Sequence, residues 1–299
     1  MVTKLILDTD IGDDIDDTWA LGLLLSSPEF DVKLVVGDQG KTEYRAKLFA
    51  KFLEAAGRTD IPIGLGLDVN SRGDGHQAVW VKDYQLSQFP GKIIEDGVQA
   101  IIDAIMDSDE PITLIAVGPL PNIAEALKRE PKIAEKAKFV GMHGSVHLGY
   151  GGSKTVSAEY NVKTDAKACQ TVLSAPWDIA ITPLDTCGLV ALKEPHYHKV
   201  KSSGNPIAKA IIENYDFWCP KQDFFDKNLC DKQSSTLFDT VAVYLAMSQD
   251  YVTMEKLSIV VTDDGYTKID EKGKTMSVAT GWKDMEAFNL FLTQRLIKE

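Results

Sequence analysis

An open, mostly parallel α/β sheet with helices on both faces and a small C-terminal β-hairpin is the fold this sequence predicts, on three observations. Short apolar, β-branched runs alternate with longer segments of helical period along most of the chain. Alternation of that kind requires crossover connections, and crossovers join parallel strands. Near the C-terminus the pattern changes, and GYTKID stands between two short polar-apolar runs from Lys256 to Lys274, as in a hairpin.

The elements follow in order. Lys4–Leu7 reads as a strand, Asp17–Ser26 as a helix and Val32–Val36 as the next strand. Lys41–Ala56 is a helix, with Leu48, Phe49, Phe52 and Leu53 near one face. Ile61–Ile63 is a strand, Gly97–Met106 a helix, Ile112–Ala116 a strand, Pro121–Arg129 a helix and Lys138–Val140 a strand. Lys163–Leu173 and Asp178–Ile181 repeat the pattern, and a helix at Met285–Ile297 closes the chain. Two stretches, about Asp68 to Pro90 and Tyr215 to Ser235, lack strong periodicity and read as binding loops or lids. With no linker or repeat, residues 1–299 read as a single domain.

Bulk properties exclude several function classes. A formal charge of -12 with scattered lysines repels a nucleic-acid backbone. The opening MVTKLILDTD turns acidic too soon for a signal peptide, and no apolar run is long enough for a bilayer. Cys169, Cys187, Cys219 and Cys230 show no CxxC spacing, so free thiols and a cytoplasmic location are expected.

The informative segment is LILDTDIGDDIDDTWAL, residues 5 to 21. It holds six carboxylates within ten positions: Asp8, Asp10, Asp13, Asp14, Asp16 and Asp17. A run of like charges is usually a solvated face, and Asp13 and Asp14 fit that reading. The whole set does not, because it joins an apolar strand to an apolar helix at the edge of the core. No Lys or Arg lies between Lys4 and Lys33 to neutralise it locally. A helix N-terminus favours each anion by only about 0.3–1 kcal/mol. A bound divalent cation balances the charges more economically. Hard oxygen donors without His or Cys select calcium or magnesium, and several carboxylates on one ion favour calcium. The segment also follows a strand, where open α/β sheets bind ligands. Gly12 lets the chain turn tightly there.

These residues resemble the nucleoside hydrolase family. DTDIGDDIDDTWAL resembles its N-terminal signature, which runs D-x-D-x-G-x-D-D or carries a longer form ending I-D-D. Val117-Gly118-Pro119-Leu120-Pro121-Asn122 resembles its T-G-P-L-T-N turn, Gly141-Met142-His143-Gly144 its M-G-G loop, and Ala158-Glu159-Tyr160-Asn161 its A-E-F-N stretch. Leu237-Phe238-Asp239 resembles the late segment whose Asp completes the metal site. The set keeps its order over roughly residues 3 to 270.

The resemblance implies hydrolysis of the N-glycosidic bond of ribonucleosides by a calcium-held water, with Asp10 as general base. It implies Asp10, Asp16, Asp17, Asp239 and the Val117 carbonyl as metal ligands, and Met142, Glu159 and Asn161 at the ribose. Trp218 falls where the family stacks the base. It further implies a homodimer or homotetramer, and Asp8 as a brace. Three positions depart from the pattern. Asp38-Gln39 stands where relatives place Gly-Asn, so Gln39 takes the sugar position, and Ser153 replaces a sugar-binding Asn. Phe238 replaces the His that one subgroup uses to protonate the leaving base.

His76, in the Gly-rich loop Arg72–Gln77, and His143 are the remaining candidates for ligand contact, against solvation as the plainer role of a loop His. His196 and His198 read as surface residues and Trp19 as core. Trp218 and Phe217 suit core packing as well as function. Two rival readings stay open: a magnesium-dependent phosphohydrolase using Asp8 and Asp10, and a calcium-dependent sugar or nucleoside binding protein without turnover.

Overall fold

In the computed structural model, which describes residues 2–69, 73–223 and 225–298, ten strands form one sheet in the order β4-β3-β2-β1-β5-β6-β7-β10-β8-β9. The strands are β1 Thr3–Thr9, β2 Phe30–Gly37, β3 Ile63–Leu65, β4 Ile93–Ile94, β5 Ile112–Ala116, β6 Ala137–Met142, β7 Asp178–Thr182, β8 Val252–Val261, β9 Thr267–Ile269 and β10 Lys274–Trp282. Every pair from β4 to β10 in that order is parallel, while β8 runs antiparallel to both β10 and β9.

The inner strands are apolar throughout because both faces are covered. In β1, Leu5 and Leu7 enter the core layer on one face and Ile6 the layer on the other. Burying each such side chain stabilises the fold by roughly 1.5–3 kcal/mol. The helices are α1 Asp16–Leu25, α2 Thr42–Ala55, α3 Gly97–Met106, α4 Pro121–Arg129, α5 Ile133–Lys136, α6 Tyr160–Thr164, α7 Ala166–Ser174, α8 His196–Lys201, α9 Pro206–Trp218, α10 Phe238–Leu245 and α11 Met285–Ile297. The layer against Leu5 and Leu7 draws on α1, α2, α9, α10 and α11, and the opposite layer on α3, α4 and α7.

The expected C-terminal hairpin is present as β8–β9, and β10 extends it into a three-stranded antiparallel unit that continues the main sheet, with Ser277 and Val278 of β10 in parallel register with Ala180 and Ile181 of β7. Two expectations need correction. The irregular stretch after Tyr215 begins inside α9, which runs on to Trp218. Cys219 and Cys230 form a disulfide with Cα atoms 5.9 Å apart, so only Cys169 and Cys187 are free, and both are buried. No helix among the described residues is long and apolar enough to cross a membrane.

Strand order places the site. β1 lies between β2 and β5, and the chain leaves β1 toward α1 and β5 toward α4. Connections that diverge from adjacent strands open a crevice beyond their carboxyl ends.

Candidate active site

Asp10 is the first residue beyond β1, and Val117 the first beyond β5. The two strand ends are tied together where the Val117 N–H donates to the Asp8 carbonyl at 3.0 Å. Between Asp10 and α1 the chain turns at Gly12, whose φ of +113 and close approach to the Tyr44 ring exclude a side chain. The turn delivers Asp16 and Asp17 into the first turn of α1. Helix α10 packs against α1 and carries Asp239 in its own first turn. The Asp239 N–H donates to Asp16 Oδ2 at 3.2 Å.

Carboxylate oxygens of Asp16, Asp17 and Asp239 thus lie within 4.8 Å of one another, and all three residues are buried. They line a cavity of about 840 Å³ together with Asp10, Val117, Met142, Glu159 and Asn161. His76, Trp218, Gln222, Tyr150 and Phe238 are among the residues that line the rest of its wall, as are Asp13 and Asp14, which are half-buried rather than fully solvated. A cavity of that size is in the range of roughly 300–1,000 Å³ used for small molecules.

Burial pushes all the acids of this floor upward. Asp10 is raised to about 7, with the guanidinium of Arg45 opposing the shift and Asp13 adding to it. Asp16, Asp17 and Asp239 are held well above the carboxylate range by burial and then by neighbouring acids. A divalent cation reverses this balance, since its charge favours the ionised carboxylates. The donor set is all oxygen, with no thiol or imidazole, and suits calcium. The fit is good: the three carboxylates converge, and the Val117 carbonyl spends one lone pair on the Asn161 amide nitrogen at 2.7 Å and keeps another.

The sugar-side candidates are fixed from behind. Glu159 caps α6 and accepts N–H bonds from Gly144, Asn161 and Val162 at 3.0, 2.7 and 3.2 Å. Burial raises it to about 7 against those three donors. The Asn161 amide nitrogen bonds the carbonyls of Val117 and Met142, which leaves its oxygen to accept from a ligand. Trp218 is both core and wall: it stacks on Tyr215 and its indole N–H donates to the Asp13 carbonyl at 3.2 Å.

Other candidates lie elsewhere. Gln39 is not among the cavity-lining residues. It is buried in the turn after β2 with a left-handed φ of 48, and its backbone carbonyl accepts from Arg45 Nε. His143 is fully buried outside the cavity, with Nε2 3.1 Å from the Gly118 carbonyl. Burial lowers it to about 4, which keeps it neutral. Ser153 and Phe217 are also absent from the wall, and Arg72 lies outside the described residues. His196 is buried against Glu286 and Thr293 rather than exposed. Asp8 accepts from the Asn122 amide at 2.8 Å and does not reach the cavity, which leaves the phosphohydrolase reading without its nucleophile.

The sequence does not single out Tyr150 and Gln222 of the wall, nor two residues behind the floor. Arg45, on α2, is buried under the acidic loop and donates to the carbonyls of Asp10 and Ile11 and to the Asp13 carboxylate. Its signal was a basic residue at helical spacing from Leu48, Phe49 and Phe52, on the apolar face of that helix. Gln77, fully buried, donates to the Asp14 carbonyl and accepts from Thr18 and Asn214. It joins the loop to α1 and α9, and nothing in its sequence context marks it.

The chain is similar to known proteins along nearly its whole length. The family profile described as Inosine-uridine preferring nucleoside hydrolase matches residues 5–290. The Inosine-uridine preferring nucleoside hydrolase of Crithidia fasciculata is 32% identical over 234 residues, covering 73% of this chain and 71% of that protein. The pyrimidine-specific ribonucleoside hydrolase RihA of an Enterobacter species is 30% identical over 228 residues, with the same coverage of 73% and 71%. Among solved structures, a plant nucleoside hydrolase superposes with a TM-score of 0.84 at 20% identity, covering 100% of both chains. A purine-preferring ribonucleoside hydrolase from Gardnerella vaginalis gives 0.81 at 23% identity, covering 98% of each.

Proposed function

Because the chain belongs to the inosine-uridine preferring nucleoside hydrolase family, we propose that it hydrolyses the N-glycosidic bond of ribonucleosides with calcium at Asp10, Asp16, Asp17, Asp239 and the Val117 carbonyl. The observation that carries the reading is the convergence of Asp16, Asp17 and Asp239 in the floor of a cavity that Asp10, Glu159 and Asn161 also line. When bound, calcium supplies Lewis acidity to the attacking water and coordination places for the sugar hydroxyls.

The protein's own groups do the rest. Asp10 accepts the proton of the attacking water. Glu159 has used three of about four acceptor positions on backbone N–H groups and turns the remainder to a ribose hydroxyl. Asn161 accepts from a second hydroxyl, and Met142 packs against the sugar. The surrounding carboxylates stabilise the oxocarbenium-like sugar as the bond to the base breaks. The base lies toward His76 and Trp218. A product assay over a panel of ribonucleosides, with calcium added and then chelated, tests the reading. Release of free base that stops on chelation supports it, and ligand binding without product refutes it.

Phe238 offers no proton to a departing base, so an activated riboside should be the better substrate. Nitrophenyl riboside is expected to exceed inosine and uridine in kcat/KM, and Phe238→Ala should leave that order unchanged. Equal rates for inosine and the activated riboside would show that protonation is well supplied.

Gly118 gives a test of alignment. A Cβ there would stand 2.9 Å from Asp10 Oδ1 and 3.0 Å from Asp38 Oδ2. Gly118→Ala should therefore displace Asp10 and lower kcat by roughly 10²-fold, as ångström-scale misplacement does. An unchanged kcat would mean that Asp10 has room to move.

A further inference from the structure

A base that leaves with the bonding electron pair carries negative charge until that charge is stabilised or protonated. In the cavity wall, the imidazole of His76 lies with Trp218 and Gln222. Gln222 follows the turn Cys219–Lys221 at the end of α9, and its side chain reaches back to that ring.

The Gln222 amide nitrogen is 3.1 Å from the Trp218 carbonyl oxygen and 2.6 Å from His76 Nδ1. A carbonyl only accepts, so the NH2 group and not the amide oxygen faces this corner. Its two hydrogens serve the two contacts, and Nδ1 is therefore an acceptor without a proton. A neutral imidazole with a bare Nδ1 carries its proton on Nε2. An imidazolium would set an N–H against the amide N–H, so the contact selects the neutral ring as well as the tautomer. The backbone is also held, because Lys221 Nζ donates to the His76 carbonyl at 3.2 Å and the adjacent Gln77 is tied to Thr18, Asn214 and Asp14.

We propose that Gln222 is a positioning residue that keeps His76 neutral with its proton on Nε2, and that His76 acts as a hydrogen-bond donor to the leaving base rather than as an imidazolium acid. The proposal rests on the reading above, in which the base lies toward His76. The electron pair of the N-glycosidic bond departs with the base, the His76 Nε2–H stabilises the charge, and His76 keeps its proton. Water protonates the base after release.

The test combines spectroscopy and kinetics on the full chain with calcium. Imidazole ¹⁵N spectra of wild type at neutral pH should show one neutral His76 tautomer protonated at Nε2, and Gln222→Met should show both tautomers. Removal of a preorganised donor costs about 10²–10³-fold at most. His76→Ala should approach the lower figure in kcat for inosine, and Gln222→Met should lose several-fold, with a smaller loss for nitrophenyl riboside in both because its leaving group needs less stabilisation. A wild-type imidazolium or Nδ1–H tautomer overturns the proposal whatever the variants do. An inosine rate that falls in His76→Ala but not in Gln222→Met overturns the role of Gln222 alone. An inosine rate unaffected by His76→Ala overturns the placement of the base, and the proposal with it.

Discussion

Asp10→Asn is expected to lose on the order of 10²–10⁴-fold in kcat while keeping its fold and most of its calcium affinity. The amide matches the carboxylate in shape and retains an oxygen, but it cannot take the proton of the attacking water. Asp16, Asp17 and Asp239 remain to hold the ion. The substitution also removes one acid from a buried crowd in which Asp10 itself is pushed up to about 7. The metal-free variant should therefore melt no lower than the metal-free wild type. Turnover at saturating calcium, a calcium titration and a melting curve together check the prediction. Near-normal turnover would remove Asp10 from the role of base.

Calcium should raise the melting temperature, and its effect should grow with pH. A ligand at a hundred times its dissociation constant adds about 2.7 kcal/mol. At about 2–4 °C per kcal/mol for a large domain, that is a shift of roughly 5–10 °C. The sign of the pH dependence follows from the acids. Asp8 and Asp10 are raised to about 7 in the folded protein from an ordinary value of 3.8, and Asp16, Asp17 and Asp239 are also raised. Between those limits the metal-free folded state binds more protons than the unfolded chain. Its stability contribution from these groups is complete below about pH 4 and is lost as pH rises through about 7. Calcium requires the ionised carboxylates, so the separation between melting curves with calcium and with chelator should be small near pH 5 and wide near pH 8. Coincident curves at pH 8 would remove the ion from the account.

The central sheet was legible because its strands are buried on both faces. An uninterrupted run such as Leu5-Ile6-Leu7 marks such a strand without any knowledge of its partners. The unit β8–β10 was less so: β8 spaces its buried residues widely and carries Glu255 and Lys256 exposed in mid-strand, so only its turn showed. The acidic floor was readable for a related reason, since Asp10, Asp16 and Asp17 are close in sequence. Asp239 entered through the family resemblance alone. What could not be read was the counter-charge. No Lys or Arg is near the acidic loop in sequence, whereas Arg45 arrives from α2 through the fold. The placement of Gln39 depended on a single positive φ after β2, and the pairing of Cys219 with Cys230 on the path between α9 and α10.

The mouth of the cavity is built differently from its floor. Asp10 and Val117 leave adjacent strands, and Asp16, Asp17 and Asp239 sit in first turns of helices wedged together. Moving any of these strains the core. His76, Tyr150 and Gln222 stand instead on short 3₁₀ turns or just beyond one, and a side-chain bond joins His76 to Gln222. His76 and Tyr150 are exposed, and surface substitutions usually change stability by only about 0.5 kcal/mol. The rim is thus open to evolutionary drift that the floor cannot tolerate. One scaffold can exchange the base it accepts in small, nearly neutral steps, while the bond it breaks stays the same.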